Sequence, residues 1–287
     1  MPSLSLLAQY LLPKQALTRM FGALARQQAG VLSQIVIRRF IDHYGVDMSE
    51  AQDSDPAAYR SFNDFFTRAL RPDVRPLADS ALICPVDGAV SQLGPIDHGR
   101  IIQAKGHDYS ATELLGGNVG LANSFRDGRF ATIYLSPRDY HRIHMPCTGI
   151  LKQMVHVPGD LFSVSPATAA GIPRLFARNE RVVCVFDAPW GPWVLVLVGA
   201  TIVGSMATVW HGVVNTERPA HVRHWNYPAD GEAITLDKGV EMGRFLLGST
   251  VVMLFPKAAP ELNRDWQPGQ TVRMGQAMST EREPAAS

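Results

Sequence analysis

The stretch Gly243-Arg-Phe-Leu-Leu-Gly-Ser-Thr-Val-Val-Met-Leu-Phe255 sets a small-residue break, Leu247-Gly248-Ser249-Thr250, between two apolar, β-prone runs. The second run, Thr250 to Phe255, reads as a short β-rich run. The break itself has two readings. A glycine-kinked strand carrying a serine is the ordinary one. The sharper one is that Ser249 attacks the peptide bond in front of it.

Working outward, the region from Ala81 repeats the same texture: short β-rich runs between Gly, Pro and Asp turns. They are Ile83 to Val90, Ile101 to Ala104, Phe130 to Leu135, Ile150 to Val157, Arg181 to Phe186, Val194 to Val203 and Thr208 to Val214. The segment Pro268 to Gln276 reads as one more strand between two tight turns, a pattern shared with small lipoyl-type barrels. Residues 3–45 differ. Apolar residues recur at helical spacing in three groups: Leu4, Leu7 and Leu11; Leu17, Met20, Phe21 and Leu24; Leu32, Ile35, Val36 and Phe40. A fourth helix is predicted from Pro56 to Leu70, capped by Asp55. The fold class is therefore α+β, a mainly antiparallel β core of sandwiched-barrel, lipoyl-like type behind an N-terminal layer of short amphipathic helices. Ser279 to Ser287 read as a disordered tail.

Composition narrows the function. The 287 residues carry a net charge of +1 and 46% hydrophobic residues, a folded protein with no overall pull toward nucleic acid. Three scattered cysteines fit a reducing compartment rather than a disulfide framework. No signal peptide is expected, and the longest apolar stretch, Trp193 to Ala207, is too short and too β-branched to span a bilayer. Yet Lys14, Arg19, Arg26, Arg38 and Arg39 face only Asp42 in the first 45 residues. These helices either pack on their own core or lie in an anionic lipid interface.

Two polar constellations stand out. Tyr134-Leu-Ser-Pro-Arg-Asp-Tyr-His-Arg-Ile-His-Met-Pro146 places His141 and His144 three apart among arginines. The spacing could hold a metal on a helix, but prolines bracket it and no second ligand cluster matches, so acid–base work is the better reading. Asp87, in Pro85-Val-Asp87-Gly88, reads alone as a turn aspartate. With His144 and Ser249 it also supplies the types needed for orienting acid, base and nucleophile. No Gly-x-Ser-x-Gly elbow, phosphate loop or dinucleotide fingerprint is present.

Together, Leu247-Gly248-Ser249-Thr250, the Tyr134–Pro146 stretch and Pro85–Gly88 resemble the bacterial-type phosphatidylserine decarboxylase proenzymes. Phe62-Asn-Asp-Phe-Phe66, Gln103-Ala-Lys-Gly106, Pro158 to Val164, Leu175 to Arg181 and Val198 to Ser205 carry the likeness over nearly the whole chain. The resemblance implies a self-processing enzyme of phospholipid biosynthesis. Cleavage between Gly248 and Ser249 would yield a beta chain, 1–248, and an alpha chain, 249–287, with Ser249 converted to a pyruvoyl group and no metal. Asp87 and His144 would act in that step, His144 taking the serine proton while Asp87 holds its ring. His141 would act in decarboxylation of phosphatidylserine to phosphatidylethanolamine through a Schiff base. Glycine at 248 suits the chemistry, since serine attack on the preceding carbonyl needs an uncrowded, permissive backbone.

The resemblance further implies residues 1–72 as a membrane-associating region and 73–287 as the catalytic domain. The protein would sit peripherally on the cytoplasmic side of the cell membrane, its partners being phosphatidylserine in anionic lipid and its own two chains as a heterodimer, with a homodimer of that pair; no nucleic acid is involved. Two other readings stay open on residues alone: a pyruvoyl decarboxylase for a soluble amino acid, and a non-catalytic lipid-binding module with a lipoyl-like core.

Overall fold

The run Thr250–Phe255 is buried at every position, and its two faces feed two separate cores. Val251, Met253 and Phe255 join one apolar cluster and Val252 and Leu254 the other, as the two-residue period of a strand requires. The computed structural model describes residues 9–10, 13–104, 106–201, 205–215, 220–228, 231–246 and 250–282.

The strands, in chain order, are β1 (Gly88–Pro95), β2 (Arg100–Ala104), β3 (His107–Ser110), β4 (Arg129–Tyr134), β5 (Arg142–His144), β6 (Gly149–Val157), β7 (Arg181–Ala188) and β8 (Gly191–Val198). They continue with β9 (Met206–Thr208), β10 (Gly212–Val213), β11 (Arg223–Asn226), β12 (Thr235–Leu236), β13 (Glu241–Phe245), β14 (Thr250–Phe255) and β15 (Thr271–Val272). The helices are α1 (Lys14–Arg26), α2 (Val31–Tyr44), α3 (Phe62–Phe66), α4 (Ala111–Leu114), α5 (Val119–Asn123), α6 (Pro166–Gly171) and α7 (Leu175–Arg178).

The chain is α+β, and the pairings between these strands are antiparallel. The largest sheet runs β11-β6-β7-β8-β14-β4-β1-β15, with β12 beside β6; it is an open path, not a closed barrel. A second sheet, β10-β9-β13-β5, covers one face, so that Ile143, Met206, Met242 and Phe245 meet Leu195, Leu197, Val251 and Met253. The β2-β3 hairpin and the short helices α4 to α7 cover the other face through Ile101, Tyr109, Leu114, Phe176 and their neighbours.

Several expectations need correction. The fourth helix is not continuous from Pro56 to Leu70. Asp55 does cap a turn, accepting from Ala57 N, but this is a 3-10 turn of three residues, Pro56–Ala58. Tyr59 then turns extended, its hydroxyl donating to Asp53 O, and Ser61 restarts the helix as α3 with a full capping box to Asp64. Local side-chain bonds thus outcompete the apolar period. The strand expected from Ile83 begins only at Gly88. The run Thr208 to Val214 divides into a hairpin of β9 and β10. Ser279 is no disordered residue; it is buried, and its hydroxyl lies 2.9 Å from that of Ser80. Leu4, Leu7 and Leu11 lie outside the described residues, as do 283–287. Among the described residues no helix is long and apolar enough to cross a membrane.

Candidate active site

Sheet register explains how distant residues meet. Ala89, Tyr134, Thr250 and Val198 form one row across β1, β4, β14 and β8. Asp87 stands just before β1 and position 249 just before β14, so one intervening strand, β4, separates the two elements. At about 4.8 Å per strand the row places Ala89 and Thr250 about 10 Å apart. Beyond Tyr134 the same strand runs on into the histidine segment. Phe245 N donates to His141 O at 3.0 Å, and Leu246 N to Ser205 O at 3.0 Å. Gly248 and Ser249 lie outside the described residues, but the chain on either side is anchored here: Phe245 and Leu246 before, Thr250 after. Gly88 permits the close packing of β1 on β4, since an added Cβ would run into the Tyr134 carbonyl oxygen.

Asp87 is buried, and its carboxylate is fully engaged. Arg75 Nε reaches Oδ1 at 3.0 Å and Arg75 Nη2 makes a short bond to Oδ2, while Met274 N donates to Oδ1 at 2.9 Å. Arg75 also donates to Glu50 Oε2 at 2.7 Å. Burial works against the Arg75 charge, but the hydrogen bonds of Asp87 and Glu50 outweigh it and raise the guanidinium pKa.

His144 Nδ1 lies 2.8 Å from Gly239 O, which can only accept, so Nδ1 carries the proton. In the neutral ring Nε2 is then the acceptor, and the Tyr140 hydroxyl donates to it at 2.9 Å. The expectation that Asp87 holds this ring therefore needs correction: Arg75 and the Met274 amide occupy the carboxylate, and the Gly239 carbonyl sets the tautomer. Gly239 has φ +82°, a left-handed turn that suits glycine. Burial lowers the pKa of His144 and raises that of Tyr140.

His141 is completely buried. Its Nδ1 donates to Asp139 O at 2.8 Å, and its ring lies 4.1 Å from that of Phe66. Burial pushes its pKa down to about 3, with the Arg68 charge adding in the same direction. The flanking arginines Arg138 and Arg142 are thus not the main cause. Nε2 is a bare acceptor, buried with no partner. Thr250 Oγ1 is likewise buried and unpartnered. Buried polar groups are nearly always satisfied, and these two lack a partner among the described residues.

The structure thus gathers Asp87, His141 and His144 around the ends of β1, β4, β5 and β13. Sequence reasoning missed Arg75, Tyr140, Gly239 and Phe66. Tyr140 was the most legible of these, standing inside the histidine motif; Gly239 acts through its backbone and leaves no side-chain signal. Among the described residues no group of three or more His, Cys, Asp and Glu side chains could hold a metal.

The family model described as Phosphatidylserine decarboxylase matches residues 62–280, and a second, described as PSD, matches residues 4–45. The chain is 64% identical over 277 residues to a phosphatidylserine decarboxylase proenzyme from Polaromonas naphthalenivorans, covering 96% of each chain. A proenzyme of the same name from Delftia acidovorans is 65% identical over 277 residues, 96% of this chain and 97% of the relative. Another from Chromobacterium violaceum is 65% identical over 278 residues, 96% of this chain and 99% of the relative. With coverage on that scale joined to this gathering of acid and imidazoles, the chain belongs to the phosphatidylserine decarboxylase family and is a decarboxylase.

Proposed function

We propose that the chain cuts itself between Gly248 and Ser249 and then converts phosphatidylserine to phosphatidylethanolamine with a pyruvoyl group made from Ser249, a step of phospholipid biosynthesis. The observation that carries this reading is the anchoring of both flanks of the Gly248-Ser249 junction within the elements that hold Asp87, His141 and His144. The word proenzyme in the relatives' names points the same way.

In the cleavage step His144 Nε2 takes the hydroxyl proton of Ser249 as Tyr140 yields its bond, and the serine oxygen adds to the Gly248 carbonyl. Asp87 acts at a distance. Its carboxylate, paired with Arg75, adds a small attraction that favours the imidazolium formed on His144. The resulting ester opens by elimination, leaving dehydroalanine at 249, whose imine form takes up water and releases ammonia to give the ketone; chains 1–248 and 249–287 remain together as a heterodimer. The buried Thr250 hydroxyl, without a partner among the described residues, can donate to a carbonyl oxygen of a pyruvoyl group. When formed, that group supplies a ketone for the substrate amine and an electron sink for the departing carbon dioxide. His141 Nε2, unprotonated in its buried setting, takes a proton from the substrate ammonium and returns it to the substrate Cα after decarboxylation. Phe66 against the imidazole keeps water from that carbon.

Residues 1–72 bring this site to lipid. Met20, Leu24, Leu32, Ile35 and Val36 are exposed on α1 and α2, and an apolar groove of about 1050 Å³ runs between these helices toward Phe62. Lys14, Arg26, Arg38 and Arg39 lie on the same two helices, a charge pattern suited to anionic headgroups. In this reading the protein is peripheral on the cytoplasmic face of the membrane, with a homodimer of the processed pair as the assembly that the family resemblance implies.

Intact mass of purified wild-type protein tests the reading. Two chains divided at 248/249, the smaller carrying pyruvoyl, are expected, and Ser249→Ala should stay whole and inactive. A single uncut wild-type chain that decarboxylates phosphatidylserine would overturn it. His141→Ala should cleave normally yet release no carbon dioxide.

A further inference from the structure

Arg68, two residues beyond α3, is out of keeping with the other buried charges. It is 4% exposed, and its Nη2 donates to Arg138 O at 3.0 Å, but Nε and Nη1 are buried with no partner. A guanidinium carries five N–H donors, and leaving them dry in the interior is costly unless an anion arrives. The neighbouring acids are committed elsewhere. Asp87 and Glu50 are held by Arg75, Glu50 also by Arg273, and Asp139 Oδ2 accepts from Ser136 N. Arg68 lines a cavity of about 240 Å³ together with Asp87, Arg138, Asp139 and Tyr140.

The cation is also tied to the decarboxylation machinery. Phe66 packs on His141, and Arg142 Nε donates to Thr67 O at 2.8 Å, so the segment from α3 to Arg68 is fastened to the histidine segment. The structure assigns to Arg68 the role of an anion-binding residue, its free N–H groups taking the phosphodiester of the lipid substrate. This rests on the decarboxylase reading above. The substrate offers two anions, and the chemistry separates them. Its carboxylate loses its charge as carbon dioxide leaves, so a cation paired with it would stabilise the ground state and slow the reaction. The phosphodiester keeps its charge throughout, and an arginine on it contributes binding equally in ground and transition states.

The test compares sn-glycero-3-phosphoserine, the headgroup without acyl chains, with free serine as substrates. Wild-type protein should favour the phosphodiester in kcat/KM, and Arg68→Gln should raise KM for it by about tenfold to a hundredfold with kcat little changed. Serine turnover serves as the baseline for any effect of the lost charge on His141 and should fall far less than turnover of the phosphodiester, and Arg68→Lys should restore part of the difference. Equal use of the two substrates by wild type, or equal loss on both in the variant, would overturn the assignment; the wild-type arm decides even if the variant does not fold. Intact mass on each sample keeps the parent reading separate: wild type that never cleaves breaks the pyruvoyl mechanism, whereas a cleaved variant with unchanged KM breaks only the role of Arg68.

Discussion

Strand β14 and helices α1 and α2 are built from the same kinds of residue and meet opposite fates. Every side chain of β14 is buried, with Val252 and Leu254 at 0% exposure. On the helices Leu24 is 53% exposed, Leu32 63% and Val31 77%. A strand in the middle of a sheet has neighbours on both edges and both faces, so its apolar surface is covered within the fold. The helical layer has a small cluster of its own, Ile37, Val46, Tyr59, Phe65 and Phe66, with Phe40 against it, and meets the β core where Phe66 packs on His141 and where Tyr10 and Lys14 lie against Phe162. Its other apolar residues are left for something outside the chain. Scattered exposed apolar residues are ordinary, but a run of them around a groove marks a contact surface. On the proposed reading, the core makes the chemistry and the layer delivers the lipid.

That division can be broken most severely at Arg75. Arg75→Ala would leave the buried Asp87 without its cation and Glu50 with Arg273 alone, costing about 3–5 kcal/mol in chemical denaturation and slowing self-cleavage. Unchanged stability would mean the carboxylates do not depend on the pair. On the delivery side, Leu24→Ser with Val36→Ser should weaken binding to anionic vesicles by about tenfold or more while shifting folding stability by only about 0.5 kcal/mol. A large loss of stability with intact vesicle binding would reverse the assignment of the two regions. The smallest effect is on pH. His144 must be neutral to take the serine proton, and burial holds its pKa below the ordinary 6.5. Self-cleavage followed by intact mass should therefore be flat above about pH 6.5 and fall only as pH drops through the lowered value. A rate still climbing between pH 7 and 8 would point to a different base.

The sequence by itself determined the alternation of strands and turns after Ala81, the amphipathic helices before Gly45, and the residue types at Asp87, His141, His144 and Ser249. These are local signals, carried by periodicity and short motifs. Thr250–Phe255 was legible to the residue because an unbroken apolar run has few ways to be buried. The boundaries that failed did so where a specific bond outweighed the pattern: Ser61 with Asp64 restarting a helix, or Ser80 with Ser279 fastening the tail. Only the tertiary structure decided which groups speak to which. Asp87 is held by Arg75, 12 residues before it, and by a Met274 amide 187 residues after it, and His144 takes its tautomer from a glycine carbonyl that carries no side-chain signature. Burial is likewise a property of the assembled fold, and it is burial that leaves His141 as a bare acceptor and Arg68 as a cation without an anion. Periodicity places a residue on a face; desolvation and partner geometry, which set its chemistry, exist only once the sheets have closed around it.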